Sequence, residues 1–251
     1  MLARWSVRFA IVLMVLSFWL GWFVASVHHS MPNFGAIHNF QKRQQVFVAF
    51  LLPLGRNANR AVLWQRQKLQ ELYAFWQHHH QLADAKHIWI KDLARSYGMS
   101  AFDVSHKSNW VQLLARVDVV PPSMMLAQAA NESAWGTSRF AQQANNLFGR
   151  WCFSSGCGLV PARRPKGASY EVKVFPTAYA SVQDYVRNLN TNQAYAAFRQ
   201  LRAKMRQRRL PLTGEALAAG LGQYSQKGQR YVGIIRNIIV KYHLAQYDTS
   251  R

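Results

Sequence analysis

Acidic residues are scarce in this chain of 251 residues, which has a formal net charge of +21. Glutamate occurs only at Glu71, Glu132, Glu171 and Glu215, so any mechanism that requires glutamate has a short list of candidates. The chain also lacks a zinc-finger spacing, a helix-turn-helix signature, an aromatic RNA-binding motif and a glycine-rich phosphate loop. We therefore expect no nucleic acid partner, and anionic lipids or envelope polymers suit the positive charge better.

Cysteine occurs only twice, at Cys152 and Cys157. The intervening Phe-Ser-Ser-Gly segment is rich in turn formers, so the chain can fold back and join the two sulfurs. In an exported protein this pair predicts a disulfide, and in a cytosolic protein two free thiols are the alternative. The run of residues 78–80 is His-His-His, but adjacent residues on a helix point in different directions. We expect no metal site and no cofactor.

A hydrophobic run without charged residues extends over residues 9–27, which is 27 − 9 + 1 = 19 residues. This is close to the roughly 20 residues that span a bilayer. Arg4 and Arg8 precede the run and the next charge is Lys42, so the rest of the chain is expected to cross the membrane. An uncleaved inner-membrane anchor is the favoured interpretation, and a cleaved signal segment is the alternative. Both place the domain in the periplasm, in agreement with a disulfide.

Apolar residues recur at helical spacing through most of the remaining chain, with one short alternating segment. We expect residues 1–30 to be the anchor or signal segment and residues 31–104 to be a tether and helical extension, with one or two helices between residues 44 and 81. Residues 105–245 then form the functional domain. The basic residues between 199 and 209 are interpreted as a solvated helix face. Residues 170–175 alternate as a strand, which predicts a small β-hairpin lobe in an α+β, mostly helical fold.

Residues 127–149, AQAANESAWGTSRFAQQANNLFG, contain a single acidic residue, Glu132. Good helix formers precede it and Gly136 is expected to end the helix, so Glu132 falls in the last turn. The C-terminal end of a helix is negative and Trp135 could desolvate the carboxylate, and both effects raise a carboxyl pKa. Glu132 is therefore our candidate general acid. The alternative is an ordinary surface carboxylate.

The same stretch, with its ES-W-G-x-S and NNLFG motifs, resembles the glucosaminidase domain of glycoside hydrolase family 73, which includes the peptidoglycan-hydrolysing part of the flagellar rod-assembly protein. With the WCFSSGCG segment that follows, the chain resembles the Bax-like proteins of Gram-negative bacteria. The resemblance covers roughly residues 105–245. It implies a lysozyme-like fold that hydrolyses the β-1,4 bond after N-acetylglucosamine in peptidoglycan glycan strands.

The family commonly places a second acidic residue in the β lobe, and Glu171 lies there. Glu171 is alternatively a solvated strand residue paired with Lys173, and substrate-assisted attack by the 2-acetamido group needs no second carboxylate. Tyr195 matches a family segment whose tyrosine faces the active site, or it is a core residue. Tyr224 and Tyr231 resemble family tyrosines more weakly.

The resemblance also assigns residues around the NNLFG motif to the substrate cleft. Asn146, Phe148 and Gly149 close the catalytic helix against the cleft, with Phe148 either in the core or stacking on a sugar ring. Trp135 joins this substrate-binding set. A lytic transglycosylase or muramidase on the same fold is an alternative activity, and a non-catalytic, basic envelope-binding module is an alternative of another class.

Overall fold

The computed structural model describes residues 31–248, so the predicted membrane segment at residues 9–27 lies outside the described part. Between residues 31 and 248, no helix combines the length and apolarity needed to cross a membrane. From Pro32 onward the chain forms one compact unit. The helical extension and the segment with the family motifs therefore pack together.

The described residues are mostly helical, as predicted. The α-helices found there are α1 (Phe40–His79), α2 (Asp84–Ser96), α3 (Lys107–Arg116), α4 (Pro122–Ser133), α5 (Arg139–Ala144), α6 (Ala178–Thr191), α7 (Ala196–Gln207), α8 (Gly214–Leu217) and α9 (Gln229–Lys241). Short 3₁₀ turns occupy Phe34–Ala36, Gln193–Tyr195, Ala218–Leu221 and Leu244–Tyr247. The catalytic candidate Glu132 lies in the last turn of α4.

Three short strands form a small antiparallel sheet in the order β1-β3-β2. They are β1 (Trp151–Cys152), β2 (Gly158–Leu159) and β3 (Glu171–Lys173). Trp151 and Leu159 both lie opposite Val172, on either side of β3. The predicted hairpin thus has a third strand, because the loop between the two cysteines returns the chain so that both of its ends pair with β3. The α+β class is confirmed.

Between residues 44 and 81, where one or two helices were expected, the chain forms one long helix. Asn39 begins α1 by accepting the N–H of Lys42 at 2.9 Å, and the helix continues through Pro53 for 40 residues, about 60 Å. Proline removes one helical hydrogen bond, but packing outweighs that loss. At Gly55 a Cβ would collide with the side chain of Met125. The missing side chain lets α1 lie directly against α4.

The predicted solvated basic face is only partly present. Lys204, Arg206, Arg208 and Arg209 are exposed, but the prediction was wrong for two arginines of α7. Arg199 and Arg202 are 5% and 0% exposed. The buried Asp118 carboxylate lies 2.8 Å from Arg206 and 3.4 Å from Arg66 of α1. Burial alone would raise the pKa of Asp118, but these arginines outweigh it and lower that pKa. This ion cluster joins α1, the segment before α4, and α7.

Candidate active site

The helix that carries Glu132 ends at Ser133, before the predicted stop. Ala134 and Trp135 adopt positive φ angles of 51° and 57°, and Gly136 follows at 79°. The buried Ser133 hydroxyl supports this turn by accepting the N–H of Gly136 at 2.8 Å. Left-handed backbone is unfavourable for residues other than glycine, and such residues concentrate at functional sites. The turn directly after Glu132 therefore marks the C-terminal end of α4 as a candidate functional site.

Trp135 packs in an aromatic cluster instead of being free to face a ligand with its whole ring. Its ring centroid lies 5.7 Å from Phe40, 5.5 Å from Phe47 and 4.8 Å from Tyr242. Phe40 and Phe47 belong to α1, and Tyr242 follows α9. The ring thus joins the extension and the C-terminal helix to the turn after Glu132.

A chain of hydrogen bonds leads to one oxygen of Glu132. The Tyr185 hydroxyl donates to Gln128 Oε1 at 2.6 Å, Gln128 Nε2 donates to the Tyr231 hydroxyl at 3.0 Å, and Tyr231 donates to Glu132 Oε1 at 2.8 Å. Asn131 Nδ2 donates to the same oxygen at 3.0 Å. An amide that accepts through its oxygen donates through its nitrogen, so Tyr231 keeps its own proton for Glu132. We call Tyr185, Gln128 and Tyr231 the relay.

The relay tyrosines remain protonated. Burial raises the pKa of both Tyr185 and Tyr231 well above the ordinary value, and the negative charge of Glu132 acts in the same direction. Both rings and the side chain of Gln128 are at most 2% exposed. The hydroxyl of Tyr231 is therefore a permanent donor to Glu132 at neutral pH.

Two further tyrosines lie beside Tyr231, and we call the rings of Tyr195, Tyr224 and Tyr231 the tyrosine wall. The ring of Tyr224 stacks on Tyr231 with centroids 5.3 Å apart, and Tyr195 lies 5.8 Å beyond it. The Tyr224 hydroxyl donates to the carbonyl of Phe148 at 3.0 Å. The three tyrosines singled out in the sequence are thus brought together, and Tyr231 bonds directly to Glu132.

The NNLFG segment approaches Glu132 from another direction. Phe148 stacks on Tyr185 at 4.1 Å and is 4% exposed, which is a core position. Gly149 has a φ of 66°, and a Cβ at this position would lie 3.3 Å from Glu132 Oε2. Glycine is needed here both for the backbone angle and for the close approach. One carboxylate oxygen of Glu132 therefore accepts from the relay, and the other lies on the side of Gly149.

Asn146 shapes the loop instead of offering its amide to a ligand. It is 2% exposed. Its Oδ1 accepts the N–H of Arg150 at 2.9 Å, and its Nδ2 donates at 2.8 Å to the carbonyls of Arg150 and Lys173. The amide fixes the backbone on both sides of the loop, which holds Gly149 beside Glu132.

The predicted disulfide between Cys152 and Cys157 is present, and it braces the loop that holds Glu171. The two carboxylate oxygens of Glu171 accept backbone N–H groups of Gly156 at 3.1 Å and Gly158 at 2.8 Å. These hydrogen bonds lower the pKa of Glu171. The alternative pairing of Glu171 with Lys173 was wrong, because Lys173 instead pairs with Asp184 at 2.8 Å.

One group of metal-ligand side chains occurs within residues 31–248. Cys152, Cys157 and Glu171 place their ligand atoms within 4.8 Å of one another. The two sulfurs are bonded to each other, and the carboxylate oxygens already accept backbone N–H groups. The donor chemistry of this group does not suit a metal ion.

Sequence reasoning missed Gln128 and assigned Tyr185 to the core alone. Gln128 precedes Glu132 by four residues, so the two side chains share one helix face. That spacing was the available signal. Arg150, which follows Gly149 and forms an ion pair with Asp184 at 2.8 Å, was also missed.

The chemistry available at this site is proton donation. A carboxyl group with one oxygen held by fixed donors and the other free of them can carry a proton in a defined direction. Glycoside hydrolases require such a donor for the leaving oxygen.

Comparison with known proteins agrees with the chemistry of a glycoside hydrolase. Residues 107–244 match the model of the glucosaminidase family, described as mannosyl-glycoprotein endo-beta-N-acetylglucosaminidase. The chain is also similar to Protein bax of Escherichia coli (strain K12), with 35% identity over 202 residues that cover 80% of this chain and 70% of that protein. The chain belongs to the glucosaminidase family, and the family assignment supports peptidoglycan hydrolysis as the class of activity.

Proposed function

We propose that the protein is an endo-β-N-acetylglucosaminidase that cleaves the β-1,4 bond after N-acetylglucosamine in peptidoglycan, with Glu132 as the general acid. The observation that carries the proposal is the unequal environment of the two Glu132 oxygens. Oε1 accepts hydrogen bonds from Tyr231 and Asn131, whereas Oε2 faces Gly149. A proton on Glu132 therefore resides on Oε2, because Oε1 already has two donors.

In the first step, the proton on Oε2 passes to the glycosidic oxygen while the bond from that oxygen to C1 breaks. The carbonyl oxygen of the 2-acetamido group attacks C1 from the opposite face and forms a cyclic oxazolinium ion. The Glu132 carboxylate then removes a proton from water, which opens the ring and yields a reducing N-acetylglucosamine end. We assign the second role to the acetamido group because both oxygens of Glu171 bind backbone N–H groups.

We place the domain in the periplasm. The disulfide between Cys152 and Cys157 is of the kind that persists in oxidising compartments. The predicted anchor at residues 9–27 would hold the domain at the inner membrane.

Digestion of purified sacculi by the full chain tests the activity, with Glu132→Gln as the variant and Glu215→Gln as the matched control on an exposed glutamate of α8. We expect fragments with reducing N-acetylglucosamine ends, identified by mass, and a loss of about 10²- to 10⁴-fold in Glu132→Gln alone. Anhydro ends would show a lytic transglycosylase, and reducing N-acetylmuramic acid ends a muramidase. Binding of sacculi without release, unaltered by Glu132→Gln, would show a binding module.

A further inference from the structure

A cation lies next to the candidate acid along the chain. Arg150 follows Gly149, where a Cβ would lie 3.3 Å from Glu132 Oε2, and consecutive Cα atoms are about 3.8 Å apart. The Arg150 N–H is bound by Asn146 at 2.9 Å, and its carbonyl accepts from Lys173 N at 2.9 Å. The start of the Arg150 side chain is therefore fixed beside the proposed proton donor.

The charges around Arg150 do not balance. Asp184 is paired through one oxygen with Arg150 Nε and through the other with Lys173 Nζ, each at 2.8 Å. Within residues 31–248 neither cation has another carboxylate at ion-pair distance. Two positive charges share one negative charge, so this group carries a net charge of +1.

The guanidinium of Arg150 retains donors for a ligand. Its Nε is used by Asp184, but its two terminal NH₂ groups have no protein acceptor in the described part of the chain. The side chain is 38% exposed, so these groups are accessible.

Arg150 also lies within electrostatic range of Tyr195. Burial raises the pKa of Tyr195, and the negative charge of Glu132 raises it further. A hydrogen bond from Asn188 and the positive charge of Arg150 lower it. Arg150 and Glu132 thus act on the same hydroxyl, so both surround the tyrosine wall.

We infer that Arg150 is a substrate-binding residue that recognises a carboxylate carried by a substituent of the glycan strand. The inference rests on the proposed function. A guanidinium edge with two NH₂ groups suits the paired oxygens of a carboxylate. The sugar rings themselves are neutral, so the carboxylate comes from the stem peptide or from the lactyl group. Arg150 would therefore favour peptidoglycan over a neutral N-acetylglucosamine polymer.

The test compares kcat/KM of the full chain on three soluble substrates. These are peptide-bearing strands, strands whose peptides an amidase has removed so that the lactyl carboxylate is free, and neutral chitin oligosaccharides. We expect Arg150→Gln to lower the ratio of anionic to neutral kcat/KM about tenfold or more. A reduced ratio confined to amidase-treated strands assigns the lactyl carboxylate, one confined to peptide-bearing strands assigns a peptide carboxylate, and one on both shows that Arg150 accepts either. An unchanged ratio would overturn the inference.

Asp184→Asn separates recognition from structural support. This change breaks the same ion pair but leaves both cations, so we expect selectivity for anionic substrates to be kept or increased even if thermal stability falls. If loss of the ion pair were the only effect of Arg150→Gln, Asp184→Asn would lower the ratio in the same way.

Binding measurements keep the inference testable if the wild type releases no fragments. Peptide-bearing and neutral fragments are titrated calorimetrically at two salt concentrations. Tighter binding of the anionic fragment, weakened by salt and by Arg150→Gln, supports the role of Arg150 even where the proposed hydrolysis fails. Equal binding of both fragments by the wild type would contradict it.

Discussion

Within residues 31–248, Glu132 and Glu171 both accept hydrogen bonds, but the donors differ in kind and in placement. Both donors to Glu132 are side chains, and both bind one oxygen. Both donors to Glu171 are backbone N–H groups, one for each oxygen. A carboxylate with one free oxygen can exchange a proton with a substrate, whereas one with both oxygens bound by backbone holds a loop in place. The hydrogen-bond pattern, more than position in the sequence, therefore distinguishes a candidate catalyst from a structural anchor.

Removing the Tyr231 hydroxyl, which donates to Glu132, should have the largest effect on activity. We expect Tyr231→Phe to lower kcat/KM about 10- to 100-fold, because a hydrogen bond to a charged group is lost. Buried Gln128 also loses its acceptor, which should cost about 1–3 kcal/mol of unfolding free energy.

The matched control for Tyr231→Phe is Tyr242→Phe, which removes a hydroxyl from a ring of the Trp135 cluster. Its kcat/KM should stay within about threefold of the wild type. A wild-type kcat/KM in Tyr231→Phe as well would end the distinction between the two carboxylates.

Removing the disulfide from the loop that binds Glu171 should have an intermediate effect. We expect replacement of Cys152 and Cys157 by serine to lower the unfolding free energy by about 2 kcal/mol, the loop-entropy value for so short a loop. Urea denaturation of oxidised, reduced and doubly substituted protein measures this. Because the loop supplies the N–H groups that bind Glu171, adding Glu171→Gln should cost less in the double-serine protein than in the wild type. Strict additivity would mean that disulfide and carboxylate act independently.

Glu171→Gln should have the smallest effect on turnover, within about threefold of the wild type. Its effect on stability should depend on pH. The pKa of Glu171 is lowered in the folded state, so its contribution is present above the ordinary pKa of about 4.3 and is lost as pH falls through the folded-state pKa.

Denaturation of Glu171→Gln and wild type from pH 7 to pH 3 measures that dependence. The wild type should be the more stable at neutral pH, and the difference should close in acid. Turnover abolished at unchanged stability would instead restore Glu171 as the second catalytic group.

Local signals in the sequence predicted much of this molecule. The alternating segment around Val172 located β3, the turn residues between the cysteines located the disulfide loop, and helix formers placed Glu132 in a last turn. Each of these signals lies within a few residues of the structure it predicts.

Contacts between distant residues were not predictable in the same way. Tyr185 and Tyr231 bind Gln128 across 57 and 103 positions. Arg202 looked like a solvated residue because its acceptor, the carbonyl of Asp118, lies 84 positions away. The continuity of α1 through Pro53 likewise depends on packing against α4.

The packing of α1 has a consequence for what counts as a unit of this protein. The family match covers residues 107–244, yet Phe34 fills the space at Gly136, and Arg66 neutralises part of Asp118. A fragment cut at the family boundary would keep Glu132 but expose apolar surface along α4 and leave a buried carboxylate short of one cation. The segment that matches the family model and the segment that folds as a unit therefore have different boundaries in this chain, and the first depends on a helix that lies outside it.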